Sequence, residues 1–359
     1  MAYAVVMAGG NGTRLWPRVR TKSPKHLLRL GDRTLLERAL ERANALVGWD
    51  SVYVTTNESL LETIKNHIAS RTPLAPCNVY TEPAVKDTGP AIGLMAIRIA
   101  AWDPDAVIAF LPADHVIMDE VEFSKVLQVA FRAGKSVDGL VVIGIPADEA
   151  RTCYGYIKQG RSLYVEDGQP VYKVERFREK PNSQRAEKYV RQEEYLWNSG
   201  IVVGRADVIL QLLKDHNPKM RPGLERIEAS LGKSDEAEVI RETYLAFERI
   251  SFDYAVLEKT SRLYMVVGDF GWEDIGSWGS LARISAKDTA DNIFSGRAIS
   301  IDTTNSHVSA PGKLVAAIGI SDLIVIDTED VLFICQRERD QEVKALLKRL
   351  DETGWTEYL

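Results

Sequence analysis

Near the start of the chain, residues 5–15 read VVMAGGNGTRL, an apolar run that passes without a break into a glycine-rich turn carrying an arginine. The unbroken run over 2–7 suits a strand buried on both faces, as in a parallel sheet covered by helices. The glycines that follow let the backbone turn sharply and present N–H groups to an anion. Arg14 lies in the turn and Lys25 follows in Ser23-Pro24-Lys25, so two cations are at hand to neutralise a polyphosphate. No Gly-Lys-Ser/Thr follows the glycines, which excludes a Walker A loop. The third glycine of the dinucleotide fingerprint is missing, which argues against a nicotinamide dehydrogenase. An ordinary strand-to-helix turn with surface cations remains the alternative on these residues alone.

Downstream, strand-like runs alternate with helical ones. Apolar spacing predicts helices over 34–47, 57–70, 88–101 and 122–135, and strands over 51–55, 79–81, 106–111 and 140–145. That alternation implies an α/β fold, a Rossmann-like doubly wound sheet that is mixed but mostly parallel. After Arg151 the pattern loosens. Strands are expected over 154–158, 169–178, 200–204 and 263–268, with a polar helical stretch over 217–248 read as a solvated flank. From Ala290 short β-type runs sit between turn residues, and Ile301-Asp302-Thr303 recurs as Ile326-Asp327-Thr328, hinting at stacked turns. Residues 339–350 form an amphipathic helix with Val343, Leu346, Leu347 and Leu350 on one face. The expected division is a catalytic domain over 1–288 and a small, short β-helix-like domain with its terminal helix over 289–359. The apolar face of that helix suits a homodimer contact or packing within the chain equally well.

Composition narrows the class. The chain of 359 residues is 45% hydrophobic and 27% charged, with a net charge of −6 and no basic run, so no nucleic-acid partner is expected. An acidic protein that takes a polyanion must concentrate its cations locally or bring a metal. No signal peptide and no apolar run of membrane-spanning length are read, so no membrane partner is expected. Cys77, Cys153 and Cys335 are far apart and outside metal-ligand spacing; they are read as reduced core residues of a cytoplasmic protein. The five histidines form no cluster that would hold zinc.

Further motifs follow in order: Pro112-Ala113-Asp114-His115, Tyr154-Gly155-Tyr156-Ile157, Phe177 with Glu179-Lys180-Pro181, Trp197-Asn198-Ser199-Gly200, Ser251-Phe252-Asp253-Tyr254-Ala255, and Trp272-x-Asp274-x-Gly276-Ser277-Trp278. Together with the opening turn and its Leu15-Trp16-Pro17, this series resembles the sugar-1-phosphate nucleotidyltransferases over roughly residues 3–350. The Leu-Trp-Pro variant is most like their mannose-1-phosphate guanylyltransferase branch. The resemblance implies transfer of a guanylyl group from GTP to mannose 1-phosphate, giving GDP-mannose and pyrophosphate, with Mg²⁺ as cofactor. Another sugar 1-phosphate or nucleobase is the runner-up. A non-catalytic GDP-mannose-binding regulatory protein is a third reading, disfavoured because Arg14, Lys25, Asp114 and Asp274 are all present. Longer relatives append a phosphomannose isomerase-like domain; the chain has no room for one, and a single activity is expected.

Asp114 follows a predicted core strand, at the edge where parallel sheets bind ligands. A carboxylate there suits Mg²⁺, yet it suits a turn or helix cap equally well. Asp274 sits among tryptophans and glycines, a setting that calls for compensation of its charge, which a metal or a hydrogen-bonded turn would provide. The resemblance places the metal on Asp114 and Asp274. It assigns the nucleotide to Ala8, Gly9, Gly10, Asn11, Gly12, Thr13, Arg14, Lys25, Thr88 and Asp114. It assigns the sugar phosphate to Tyr154, Gly155, Glu179, Lys180 and Asn198, with Arg14, Lys25, Lys180, Asp114 and Asp274 as the catalytic set. Asn198 reads also as an Asx-turn before Gly200, and the tyrosines as β core. Glu82 before Pro83 is a candidate for sugar or base. Relatives show Asn-Thr-Ala where this chain has Asp87-Thr88-Gly89, so Asp87 is read as a helix cap. Asp253 is read as a cap rather than a ligand, and tryptophans 16, 272 and 278 as packing.

Overall fold

The apolar run at the start of the chain becomes the strand Ala2–Met7, flanked in parallel by Val52–Asn57 and Val107–Pro112. The computed structural model describes residues 1–10, 12–21 and 23–359. Ala2–Met7 lies in a nine-stranded sheet with the order Val79–Glu82, Val52–Asn57, Ala2–Met7, Val107–Pro112, Tyr195–Arg205, Leu140–Pro146, Leu263–Val267, Gln169–Arg178, Tyr156–Glu166. Only Tyr195–Arg205 and Gln169–Arg178 run against the rest, so the sheet is mixed and mostly parallel. The chain divides into two compact units. The first comprises Met1–Gly9, Leu36–Ala113 and Ile117–Trp272 and contains this sheet; the second comprises Gly10–Leu35, Asp114–Val116 and Glu273–Leu359.

In the first unit, parallel strands place their C-terminal ends on one edge. Met7 is level with Thr55 and Pro112, and Asn57 with Glu82. The helix Thr88–Trp102 is apolar almost all round because it is buried on nearly every side, with Ile92, Met95, Ile97 and Ile99 in the core. The polar stretch expected as a solvated flank instead forms two helices, Arg221–Ser230 and Glu236–Ala246, that contribute to that core. Each carries a narrow apolar stripe (Leu224 and Ile227; Ile240 and Tyr244) while its other faces are charged, so average polarity concealed the burial. The strand expected over 200–204 begins earlier, at Tyr195, and a register shift between Asn198 and Val202 bends it. Cys77 and Cys153, expected in the core, are exposed because they fall on a turn and a loop rather than on core strands.

The second unit is built around its own apolar cluster, in which Leu15, Trp16 and Val19 meet Trp278, Ile324, Ile326, Phe333 and Val343. The indole of Trp278 donates to the Trp16 carbonyl at 3.0 Å, and the indole of Trp16 donates to the Tyr358 carbonyl at 2.7 Å. Ile293–Ile301, His307–Ile318 and Leu323–Asp327 pair in parallel, and Leu332–Gln336 closes the sheet antiparallel. Parallel pairing of consecutive short strands is the stacking that the recurring Ile-Asp-Thr suggested. The last helix, Val343–Glu352, buries Val343 and packs Leu347 and Leu350, whereas Leu346 is exposed.

Trp278 is fully buried and both packs and hydrogen-bonds against the opening turn. Replacing Trp278 by Ala should lower the unfolding free energy by about 3–5 kcal/mol, read from urea denaturation. A loss of under about 1 kcal/mol would mean that this cluster does not hold the turn.

Candidate active site

The two aspartates singled out by sequence converge on one lysine. Lys25 Nζ donates to Asp114 Oδ2 at 2.6 Å and to Asp274 Oδ1 at 2.7 Å. The strand Val107–Pro112 delivers Asp114 two residues past its end, and the short strand Trp272–Asp274, paired with His115–Ile117, delivers Asp274. The Lys25 side chain is buried, whereas both carboxylates are partly open. Burial alone would lower the Lys25 pKa, but the two carboxylates more than offset it and hold the ammonium above its ordinary value. Burial likewise pushes Asp114 up, yet Lys25, aided by His115, outweighs it and holds the carboxyl well below the usual range. Ligand atoms of Asp114, His115 and Asp274 lie within 4.8 Å of one another. Two carboxylates already converging on a cation match the oxygen-donor chemistry of a hard divalent ion.

The glycine turn abuts Lys25. Gly12 adopts φ 57°, and a Cβ there would come within 2.3 Å of the Lys25 side chain, so only glycine lets Lys25 pass. Thr13–Leu15 then form a 3₁₀ turn. Arg14 Nη1 donates to Gln341 Oε1 at 3.1 Å. Gly10 and Thr13 are exposed, and Asn11 lies outside the described residues. The Ala8 N–H is committed to the Thr55 carbonyl at 2.8 Å. Thr88 Oγ1 accepts from the Phe252 N–H at 2.8 Å. Asp87 caps the following helix, its side chain accepting from the Thr88 N–H at 2.9 Å. At Gly89 a Cβ would meet the Ile250 carbonyl at 2.8 Å, which accounts for glycine at this position.

Within the sheet-containing unit, the residues expected at the sugar gather around Glu179. Its buried carboxylate pairs with the Lys180 ammonium, and its backbone N–H donates to Glu258 Oε1 at 2.8 Å. Lys180 has φ 44°, a strained value for a side-chain-bearing residue. Gly155 abuts the cluster: a Cβ there would lie 2.6 Å from Glu179 Oε2 and 3.1 Å from Asn198 Cβ. The Asn198 N–H donates to the Gly155 carbonyl at 2.8 Å, and its Oδ1 accepts from the Gly200 N–H at 3.2 Å, the Asx-type contact its sequence suggested. Asn198 Nδ2 donates to Asp253 Oδ1 at 3.0 Å. Tyr154 packs edge-on to Trp197 and Trp272, at ring distances of 5.4 and 5.0 Å.

Two groups gain weight that sequence did not give them. Asp253 is not the cap its sequence suggested: it opens the helix Asp253–Leu257 after Phe252, and the N-terminus of that helix has no side-chain cap. Burial and then the neighbouring Glu179 carboxylate push its pKa up to about 7, against the pull of Lys180. Its position in Ser-Phe-Asp-Tyr-Ala carried no spacing that links it to residues 179 and 198. Glu82, buried at the strand edge, accepts from the Tyr244 hydroxyl at 2.7 Å and from Thr55 Oγ1 at 3.2 Å. A Cβ on Gly9 would approach Glu82 Oε1 to 3.6 Å, so this carboxyl faces the glycine turn's first residue. Burial raises its pKa to about 7, opposed by those two hydrogen bonds.

Residues 3–291 match the nucleotidyl transferase family, and residues 296–350 match the MannoseP isomerase/GMP-like beta-helix domain. The chain is 35% identical over 355 residues to the alginate biosynthesis protein AlgA of Pseudomonas aeruginosa, covering 98% of this chain and 73% of that protein. It is 37% identical over 363 residues to a mannose-1-phosphate guanylyltransferase of Escherichia coli, covering 99% and 75%. Among solved structures it is similar to the protein named mannose-1-phosphate geranyltransferase from Thermus thermophilus, with a TM-score of 0.86, 32% identity, and coverage of 98% of this chain and 99% of that one.

A carboxyl whose folded pKa is raised gives stability that is present below its unfolded pKa and lost as pH rises through the folded value. For Glu82 that window runs from 4.5 to about 7. Between pH 4 and pH 8 the wild type should therefore lose roughly 3 kcal/mol more unfolding free energy than Glu82→Gln. Equal pH slopes in urea titrations of the two proteins would show that Glu82 is not held protonated.

Proposed function

Because the chain belongs to the nucleotidyl transferase family, and within it to the mannose-1-phosphate guanylyltransferases, we infer that it transfers a guanylyl group from GTP to mannose 1-phosphate, releasing pyrophosphate and GDP-mannose. The observation that carries this reading is the convergence of Asp114 and Asp274 on the Lys25 ammonium, next to a glycine turn bearing Arg14. The family generally uses a divalent metal, and here Asp114 and Asp274 would hold Mg²⁺. When bound, that ion neutralises charge at the reacting phosphates.

The sugar phosphate is the nucleophile. Its second pKa is about 6, so it is already mostly dianionic at neutral pH and needs no general base. The obstacle is repulsion between anions, which positioning and fixed cations reduce. Asp114 and Asp274 would hold the ion, and the Lys25 ammonium beside them would serve the triphosphate. Arg14 and Lys25 take charge on the departing pyrophosphate, with Gly9, Gly10, Gly12 and Thr13 shaping its seat and Ala8 and Thr88 flanking the nucleotide. Lys180 orients the attacking phosphate. Glu179 and Asn198 bind sugar hydroxyls, and Gly155 and Tyr154 shape that pocket. Glu82 faces Gly9 and, in its ionised form, offers oxygens to the adjacent N–H donors on the edge of guanine, which is the chemistry that sets guanine apart from adenine.

We also propose a homodimer in the cytoplasm. The outer parts of Ile293–Ile301 and His307–Ile318 pair only with each other, and Ile299, Ile301, Leu314 and Ile318 are 61%, 56%, 67% and 72% exposed. A two-stranded parallel arm with apolar side chains in water is poorly stable unless it is covered.

Pyrophosphate release with Mg²⁺ and mannose 1-phosphate should be strong with GTP and weak with ATP, UTP, CTP and dTTP; release with another nucleotide would reject the base assignment. Asp114→Asn and Asp274→Asn should each lower kcat by about 10²–10³-fold with the fold intact by circular dichroism. An undiminished rate in either would remove the metal-centre assignment. Light scattering of the wild type should give twice the chain mass, and Leu314→Asp with Ile318→Asp should give the monomer. A monomeric wild type would rule out the dimer.

A further inference from the structure

The C-terminal segment reaches the opening turn through a polar relay that the family reaction does not explain. Arg14 Nη1 donates to Gln341 Oε1 at 3.1 Å, and Gln341 Nε2 donates to Asp340 Oδ1 at 2.9 Å. The other oxygen of Asp340 accepts from the Gly279 N–H at 2.8 Å. Asp340 is buried, and a Cβ on Gly279 would approach its Oδ2 to 3.1 Å, so the carboxylate is built into this seat. On the near side, the Cβ position of Gly276 lies 3.6 Å from both Arg14 Nη2 and Asp274 Oδ2. The guanidinium therefore stands against the loop that carries Asp274, held from behind by the 3₁₀ segment Arg337–Glu342. The Tyr358 carbonyl adds a second anchor on the same turn through the Trp16 indole.

The choice of partner matters. Among the described residues Arg14 has no carboxylate ion-pair partner; its hydrogen-bond acceptor is a neutral amide. An amide fixes the direction of a guanidinium without cancelling its charge, whereas a carboxylate would compete with an incoming phosphate. The amide is itself oriented, because its other end is tied to a buried carboxylate.

We propose that Gln341 and Asp340 are positioning residues for the nucleotidyl transfer: they hold Arg14 aimed at the triphosphate while leaving its charge available. The inference rests on the assignment of Arg14 to the triphosphate made above. It makes the C-terminal segment a working part of the nucleotide site in addition to any role in assembly.

The test is a double-mutant cycle on the full chain, with pyrophosphate release as the readout. Gln341 is exposed, so its replacement by Ala should leave the thermal midpoint unchanged. Gln341→Ala should raise KM for GTP about tenfold with KM for mannose 1-phosphate unchanged, the size of effect expected when a binding group is misaimed rather than removed. Arg14→Ala should raise KM for GTP further, and the double variant should be no worse than Arg14→Ala alone, because Gln341 acts through Arg14. If Arg14→Ala impairs GTP use while Gln341→Ala does not, or if the two effects multiply, the positioning role is overturned and the assignment of Arg14 stands. If Arg14→Ala leaves GTP use untouched, the assignment of Arg14 fails, and the positioning role fails with it.

Discussion

Two carboxylates a few ångströms apart repel each other unless a cation lies between them, and the Lys25 ammonium between Asp114 and Asp274 meets that need. Much else in the second unit follows from making this contact possible. Gly12 has no side chain because one would collide with Lys25. Trp16 and Trp278 are buried and bonded to each other's surroundings so that the turn and the Asp274 loop keep a fixed relation. A buried lysine costs solvation, and its two short, charge-assisted bonds offset that cost. The site thereby remains folded around a cation before any substrate arrives.

The cluster in the first unit meets its charge problem differently. Glu179 has Lys180 as its counter-ion, while Asp253, buried beside it, has its pKa raised to about 7 and takes a hydrogen bond from Asn198. Two carboxyl groups, an ammonium and an amide make a surface suited to hydroxyl groups and a phosphate at once. The positive φ of Lys180 places backbone strain at this ammonium.

Some of this was readable along the chain and some was not. Arg14, Lys25, Asp114 and Asp274 stand in compact local patterns, so their chemistry was visible before any contact was known. The nine-stranded sheet was foreseeable where strands and helices alternate with clean periodicity, up to about Ile145. It was not foreseeable at 195–199, where Trp-Asn-Ser reads as a turn yet lies in a bulged strand. Nor was it at 217–248, where charged faces hid Ile227, Ile240 and Tyr244. Glu82 was noticed for its place at a strand end, but its partner Tyr244 is 162 residues away, and no local pattern records such a pairing.

Sequence by itself determined which glycines, cations and carboxylates stand in the opening turn and at the strand ends, because glycine turns, strand periodicity and residue type are local properties. It also determined that short strands between turns would follow Ala290 and end in an amphipathic helix. Tertiary structure alone decided the state of those groups. It put Lys25 on both aspartates, set Asp253 beside Glu179, sealed Glu82 under Tyr244 and turned Gln341 toward Arg14. Charge state and direction depend on desolvation and on neighbours within a few ångströms, and those neighbours come from segments far apart in the chain.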